Sequence, residues 1–256
     1  MALILPTGCH CRSRPNDPPI HPRNAGTAGD GMIHYHGTPI TPREQLRRMA
    51  GRNFCISYAA PQDLATCLEI GQALMFDNGA FSAFTRGAAF DEEGYYRWLE
   101  PILTPPHWAV IPDVIGGDEI QQWNLVRRWP FRRDLAAPVW HLGLSTAYLM
   151  RLLDEWPRVC FGSSEEYWNV GAPAWCGRMD DAFNEIAKRH QVMPWIHGLR
   201  MMGQSNGDWP LASADSTNVA QNFKRDTGCA ECKARTIDKQ QTPPGWNVRE
   251  TQARLI

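Results

Sequence analysis

Leu74-Met75-Phe76-Asp77-Asn78-Gly79-Ala80-Phe81 is an apolar run that stops on a carboxylate and turns at a glycine. A short, continuous apolar run suits a strand buried on both faces, as in a parallel sheet covered by helices. The pattern recurs at residues 33–37, 54–59, 108–114, 138–142, 159–163, 195–199 and 211–216, which with 74–81 makes eight candidate strands. Eight is the number that closes a barrel, so the α/β class and a single-domain (β/α)8 TIM-type barrel over residues 32–228 are expected. A doubly wound open sheet would show the same alternation with fewer strands. Neither a G-x-G-x-x-G nor a Walker loop supports that alternative.

Segments of helical period lie between the runs. Thr41 offers a cap and Pro42 a first helical position, with Leu46, Met49 and Ala50 on one face before Gly51. Leu64, Ala65 and Leu68 repeat the spacing after Pro61. Asp91 opens a helix facing inward through Tyr95, Trp98, Leu99 and Ile102, and Asp118 one facing inward through Ile120, Trp123 and Val126. Ser145 caps a run carrying Leu149, Leu152, Leu153 and Trp156, and Met179, Phe183, Ile186 and Ala187 mark the next face.

The bulk properties bound the function. With 256 residues, 43% hydrophobic and 21% charged, the chain can build one barrel core. A net charge of -1 gives the whole molecule no general attraction for nucleic acid, and leaves room for a local basic face. No apolar run reaches the roughly 20 residues of a membrane helix, and no signal-peptide order opens the chain, so a cytoplasmic protein with no membrane partner is expected. Several of the eight cysteines fall inside apolar patterns, where a free thiol packs as a small hydrophobe. Residues 1–31, rich in proline and glycine and without apolar period, predict a disordered tail. Met32 would serve as an alternative start, which N-terminal sequencing of natively expressed protein would settle. Residues 229–256 are expected to form a C-terminal extension around Cys229-x-x-Cys232.

Barrels carry function where strands give way to the following loops. Those ends are polar here: His34 and His36, Ser57, Asp77 and Asn78 on the first three runs, then Asp113, His141, and Ser163 with Ser164. His197, Arg200, Asp215 and Ser216 close the series. A carboxylate at the end of an apolar strand needs partners, because an unpaired buried charge is costly. One such Asp commonly caps a turn; three on different strands of one barrel, Asp77, Asp113 and Asp215, point to chemistry. Gly79 and Ala80 leave space for a flat ligand, and the small residues around Asp215 leave its carboxylate accessible.

Phe76-Asp77-Asn78-Gly79-Ala80-Phe81-Ser82 resembles the Asp-Ser-Gly-Gly-Phe-Gln signature of tRNA-guanine transglycosylases. Pro112-Asp113 sits where that family keeps a base-recognising Asp, and Phe161-Gly162-Ser163-Ser164 resembles its glycine-rich strand end. Asp215 falls at the last strand, the place of the family's nucleophile, and the likeness spans most of residues 33–222. A closer resemblance is to the phage and prophage deazapurine DNA modification proteins, a DNA-acting branch. It is carried by Tyr35-His36-Gly37-Thr38-Pro39, Val139-Trp140-His141-Leu142, His197-Gly198-Leu199-Arg200-Met201 and Ala212-Ser213-Ala214-Asp215-Ser216-Thr217-Asn218.

The resemblance implies a glycosyltransferase, specifically a pentosyltransferase, that replaces guanine in DNA by a 7-deazaguanine such as 7-cyano-7-deazaguanine. Asp215 would be the nucleophile and Asp77 the general acid and base. Asp113, His141, Gly162, Ser163, His197 and Phe81 would bind the base. No cofactor is needed for that chemistry. The implied partners are DNA, the free deazapurine and other proteins of a DNA-modification system, with tRNA as the alternative substrate. A target inside duplex must leave the stack first. Arg127, Arg128, Arg132 and Arg133 around Trp129 form the densest basic cluster for holding the strand, and Arg43, Arg47, Arg48 and Arg52 a second. Both runs read equally as solvated helix faces.

Two metal readings remain open. The tRNA enzymes carry a zinc site of three cysteines and a histidine; here Cys229 and Cys232 supply only a pair, so a structural zinc would need Cys9, His10 or Cys11 as further ligands. His34-x-His36 with His141, His197 and Asp215 is also the ligand layout of an amidohydrolase-type metal-dependent hydrolase. That reading leaves Asp77 and Asp113 without roles. A non-catalytic DNA-binding module would have no reason to keep three costly acids.

Overall fold

The computed structural model describes residues 31–249. The expected tail, apart from Gly31, and Cys9, His10 and Cys11 lie outside the described residues. Strands β1 (Ile33–Gly37), β2 (Asn53–Ser57), β3 (Leu74–Asp77), β4 (Trp108–Val110), β5 (Ala136–Ala137), β6 (Val139–His141), β7 (Arg158–Gly162), β8 (Trp195–Gly198) and β9 (Ser213–Ser216) form one sheet. The order is β5-β4-β3-β2-β1-β9-β8-β7-β6, and every neighbouring pair is parallel. Short β5 and β6 flank Pro138, one pairing with β4 and the other with β7. Pro138 has no N–H to give, while its carbonyl accepts from the Cys160 N–H at 2.8 Å. The two segments are the halves of one interrupted strand, and their continuity through Pro138 brings the ring close to closure. The expected (β/α)8 TIM-type barrel is therefore the architecture found.

Side chains alternate across each strand, so the pairing register sorts them into inward and outward sets. Tyr35 pairs with Asp215, Ser57 with Asp77, and His141 with Gly162. These face the barrel interior, where Tyr35, Cys55, Met75, Trp108, Val139 and Cys160 pack into a plug below the strand ends. Trp108 Nε1 donates to the Tyr35 hydroxyl at 2.9 Å within that plug. The opposite set, with Leu74, Phe76, Phe161 and Ile196, packs outward into the core shared with the helices.

Helices α1 (Arg43–Arg47), α2 (Leu64–Ile70), α4 (Glu92–Leu99), α5 (Glu119–Arg128), α6 (Thr146–Glu155), α7 (Pro173–Arg189) and α8 (Asn218–Asp226) cover the sheet, and α3 (Ala80–Thr85) is an extra turn after β3. The expected caps hold at Asp91, Asp118 and Ser145, whose side chains accept from the N–H of Gly94, Gln121 and Tyr148. Thr41 does not cap α1; Pro42 occupies the N-cap position without a side-chain bond. Leu68 and Ile120 face solvent, because the short α2 buries Thr66 and Cys67 and α5 buries Gln122. Gln122 reaches back to the β4 loop, where its side-chain oxygen takes the Val114 N–H at 3.0 Å. Between β8 and β9 the chain makes a 3-10 turn, Met202–Gln204, instead of an α-helix.

Helix α9 (Ala230–Ile237) contributes Ala230, Ala234 and Ile237 to the same core as the barrel. Residues 230–237 of the expected extension thus pack against the barrel. Among the described residues, no helix is long and apolar enough to cross a membrane.

Candidate active site

A cavity of about 800 Å³ opens at the C-terminal ends of the strands, and Asp77, Asp113 and Asp215 all line it. Asp77 ends β3 and is half-buried, with its Oδ2 accepting the Gly79 N–H at 3.2 Å. Gly79 has φ +76, a left-handed conformation open to glycine, and this turns the chain into α3. Burial is the main force that raises the Asp77 carboxyl from its ordinary 3.8 to about 6. A hydrogen bond from Ser57 opposes the shift, and the charges of Asp215 and Asp113 add to it.

Asn78 connects the first two acids. Its amide donates to the Ile111 carbonyl at 2.9 Å and to Asp113 Oδ1 at 2.7 Å, while its oxygen takes the Ala80 N–H at 2.8 Å. The other Asp113 oxygen, Oδ2, lies 2.9 Å from His141 Nε2. With that nitrogen donating, the buried His141 Nδ1 is left without a partner among the described residues and can accept. Gly162 lies beside this ring: a Cβ there would meet His141 Nδ1 at 3.1 Å. Asp113 therefore reaches the cavity with a fixed orientation, and each of its oxygens keeps a lone pair for a ligand.

Asp215 is buried at 8% exposure. Its Oδ1 accepts from the Arg200 N–H at 2.8 Å and lies 3.3 Å from His197 Nε2. His197 Nδ1 is 2.7 Å from the Ser213 hydroxyl, which fixes a consistent tautomer: serine donates to Nδ1, and Nε2–H donates to the carboxylate. No protein group among the described residues hydrogen-bonds Oδ2, so one oxygen is held while the other is open to the cavity. The Arg200 N–H is aimed by a left-handed backbone, φ +59, rare for a side-chain-bearing residue.

Ser163 lines the cavity with its hydroxyl 2.9 Å from Trp175 Nε1, and Phe81 lines it at the rim. Residues missed in the sequence gather at the same rim: Trp168, Phe84, Arg86 and Glu165. They lie on non-periodic loops and a short turn, where apolar spacing carries no signal.

Other candidates are placed elsewhere. Arg127 and Arg128 close α5, and Arg132 and Arg133 precede β5, so none of the four lines the cavity. Arg128 pairs with Glu92, Arg132 with Asp134 and Arg133 with Glu155. Cys229 acts as the cap of α9, its sulfur accepting the Cys232 N–H at 3.3 Å. His34 and His36 share a face of β1, as expected, but it is the face opposite Tyr35 and Asp215. His36 Nε2 meets Asp238 Oδ1 at 2.9 Å behind the barrel. Burial lowers His34 to about 4 and His36 to about 3, helped by their own proximity and by Arg52. The hydrolase layout consequently loses two of its five ligands to strand parity. Among the described residues, no group of three or more His, Cys, Asp or Glu is arranged to hold a metal ion. No family model, no curated protein and no solved structure matches the chain.

Proposed function

We propose that the protein is a DNA-guanine transglycosylase, exchanging guanine for a 7-deazaguanine through an ester between Asp215 and the sugar. The observation that carries this reading is the pairing of two unlike carboxylates across one cavity: Asp215, with one oxygen fixed and one open, and Asp77, with its proton affinity raised to about 6. A nucleophile needs a free lone pair and a fixed direction. A general acid needs an affinity near the working pH.

In the forward step the open oxygen of Asp215 bonds to the anomeric carbon as the carbon–nitrogen bond to guanine breaks. Asp77 gives its proton to the departing purine. The incoming deazapurine then loses a proton to Asp77 and attacks the same carbon, releasing the Asp215 carboxylate. Asp113, braced by Asn78 and His141, is suited to accept from the purine N–H and exocyclic amine. DNA as the carrier of the guanine, and other proteins of a modification system as partners, follow from the sequence resemblance.

Asp215→Asn should abolish exchange of labelled guanine, and denaturing electrophoresis should lose any covalent protein–DNA adduct that the parent forms. Full exchange by the Asn protein would end the proposal.

A further inference from the structure

We infer that the cavity mouth seats the single-stranded DNA flanking the target nucleotide, with Trp168 and Phe84 stacking bases and Arg200 and Arg86 contacting phosphates. The identity of the strand rests on the transglycosylase reading; the seat itself rests on the four side chains.

All four line the rim of the cavity that holds the acids. Trp168 is 52% and Phe84 58% exposed, so two large rings stand in water beside a functional cleft. The Arg200 guanidinium lies 4.9 Å from the Trp168 ring centre and 4.3 Å from that of Phe81. Its one hydrogen bond, to the Ser163 carbonyl, is long at 3.4 Å. Among the described residues, no carboxylate pairs with Arg200 or with Arg86. The contrast is with Arg128, Arg132 and Arg133, whose charges are already matched.

Stacking on an aromatic face holds a guanidinium by its plane and leaves the edge N–H groups for a forked contact with phosphate oxygens. Aromatic faces interleaved with unpaired cations form a surface for unpaired bases and their backbone, since every base has a π-face. A duplex hides those faces, so the seat selects a strand already open around the target. Arg200 also joins the seat to the chemistry: its N–H holds Asp215, and its side chain would hold a neighbouring phosphate. A strand gripped there brings the extruded sugar toward the nucleophile.

The test uses fluorescence anisotropy with the full chain and a labelled oligothymidylate about twelve nucleotides long, within the span of known single-strand sites. Trp168→Ala and Arg200→Asn should each weaken binding about tenfold. Arg200→Asn should also reduce the slope of log affinity against log salt by about 0.7, the share of one phosphate. Asn tolerates the left-handed backbone and keeps the N–H on Asp215. Arg200→Lys, which retains charge without the fork, should fall between, and circular dichroism melts should overlay the parent's. Parental affinity in both rim variants would overturn the seat, as would tighter binding of a blunt duplex, or a loss confined to Arg132→Gln. Because oligothymidylate contains no guanine, its failure to bind leaves the exchange reading standing, and an active Asp215→Asn protein leaves the binding result standing.

Discussion

Asp77 shows how much of a site is set by a single side chain and its surroundings. Its carboxyl titrates at about 6 in the folded protein against an ordinary 3.8, so the folded chain holds a proton that the unfolded chain has lost across that window. The raised affinity favours folding fully below 3.8, and that contribution is lost as pH rises to about 6. Asp77→Asn removes the dependence. The urea midpoint of the variant should rise relative to the parent between these two pH values and then stay level. A constant difference across the range would mean the carboxyl is fully hydrated. On the proposed mechanism the same proton serves the first half-reaction, whose single-turnover release of guanine should decline as pH climbs past the raised value.

The elements deliver these side chains by ending where they do. The apolar run from Leu74 continues through Phe81 in sequence, yet β3 stops at Asp77, because Asn78 bonds the Ile111 carbonyl and Gly79 adopts positive φ. At the next strand, Asp118 and Gln121 form a reciprocal capping box that starts α5, and Gln122 fixes the loop carrying Asp113. Asp118→Ala should cost about 1 kcal/mol in chemical denaturation, the usual worth of an N-cap. Caps of this kind are legible from local sequence, since their partners lie three residues away. The inward faces of short helices are not: Ile120 sits at a plausible apolar position and points to water, while the polar Gln122 is buried by a bond to a loop.

At the scale of the whole molecule, the barrel is sealed by contacts between distant parts of the chain. Asp238, just past α9, receives His36 from β1 and Arg52 from the approach to β2. Asp238→Ala would leave a fully buried imidazole nitrogen and a largely buried guanidinium without their acceptor. We expect a loss of about 2 kcal/mol in urea denaturation, the range for a hydrogen bond to a charged group, with no change in oligothymidylate affinity, since Asp238 does not line the cavity. A variant as stable as the parent would show that the Asp238 contacts contribute nothing to holding α9, beside its apolar face and the Ala230 N–H bond to Gln45 Oε1.

The sequence by itself determined the α/β class, the eight apolar runs and their order, and the three acids at strand ends or, for Asp113, in the loop that follows, because strand period and helix caps are local and each run records its own burial. Tertiary structure decided which face of each strand looks inward. Parity sent His34 and His36 behind the barrel and brought Asp215 into the cavity, although all three stand at strand ends in the sequence. It also decided which arginines remain unpaired and brought Trp168, Phe81 and Arg200 together beside Phe84 at the cavity, since those contacts form between segments far apart in the chain and leave no period to read.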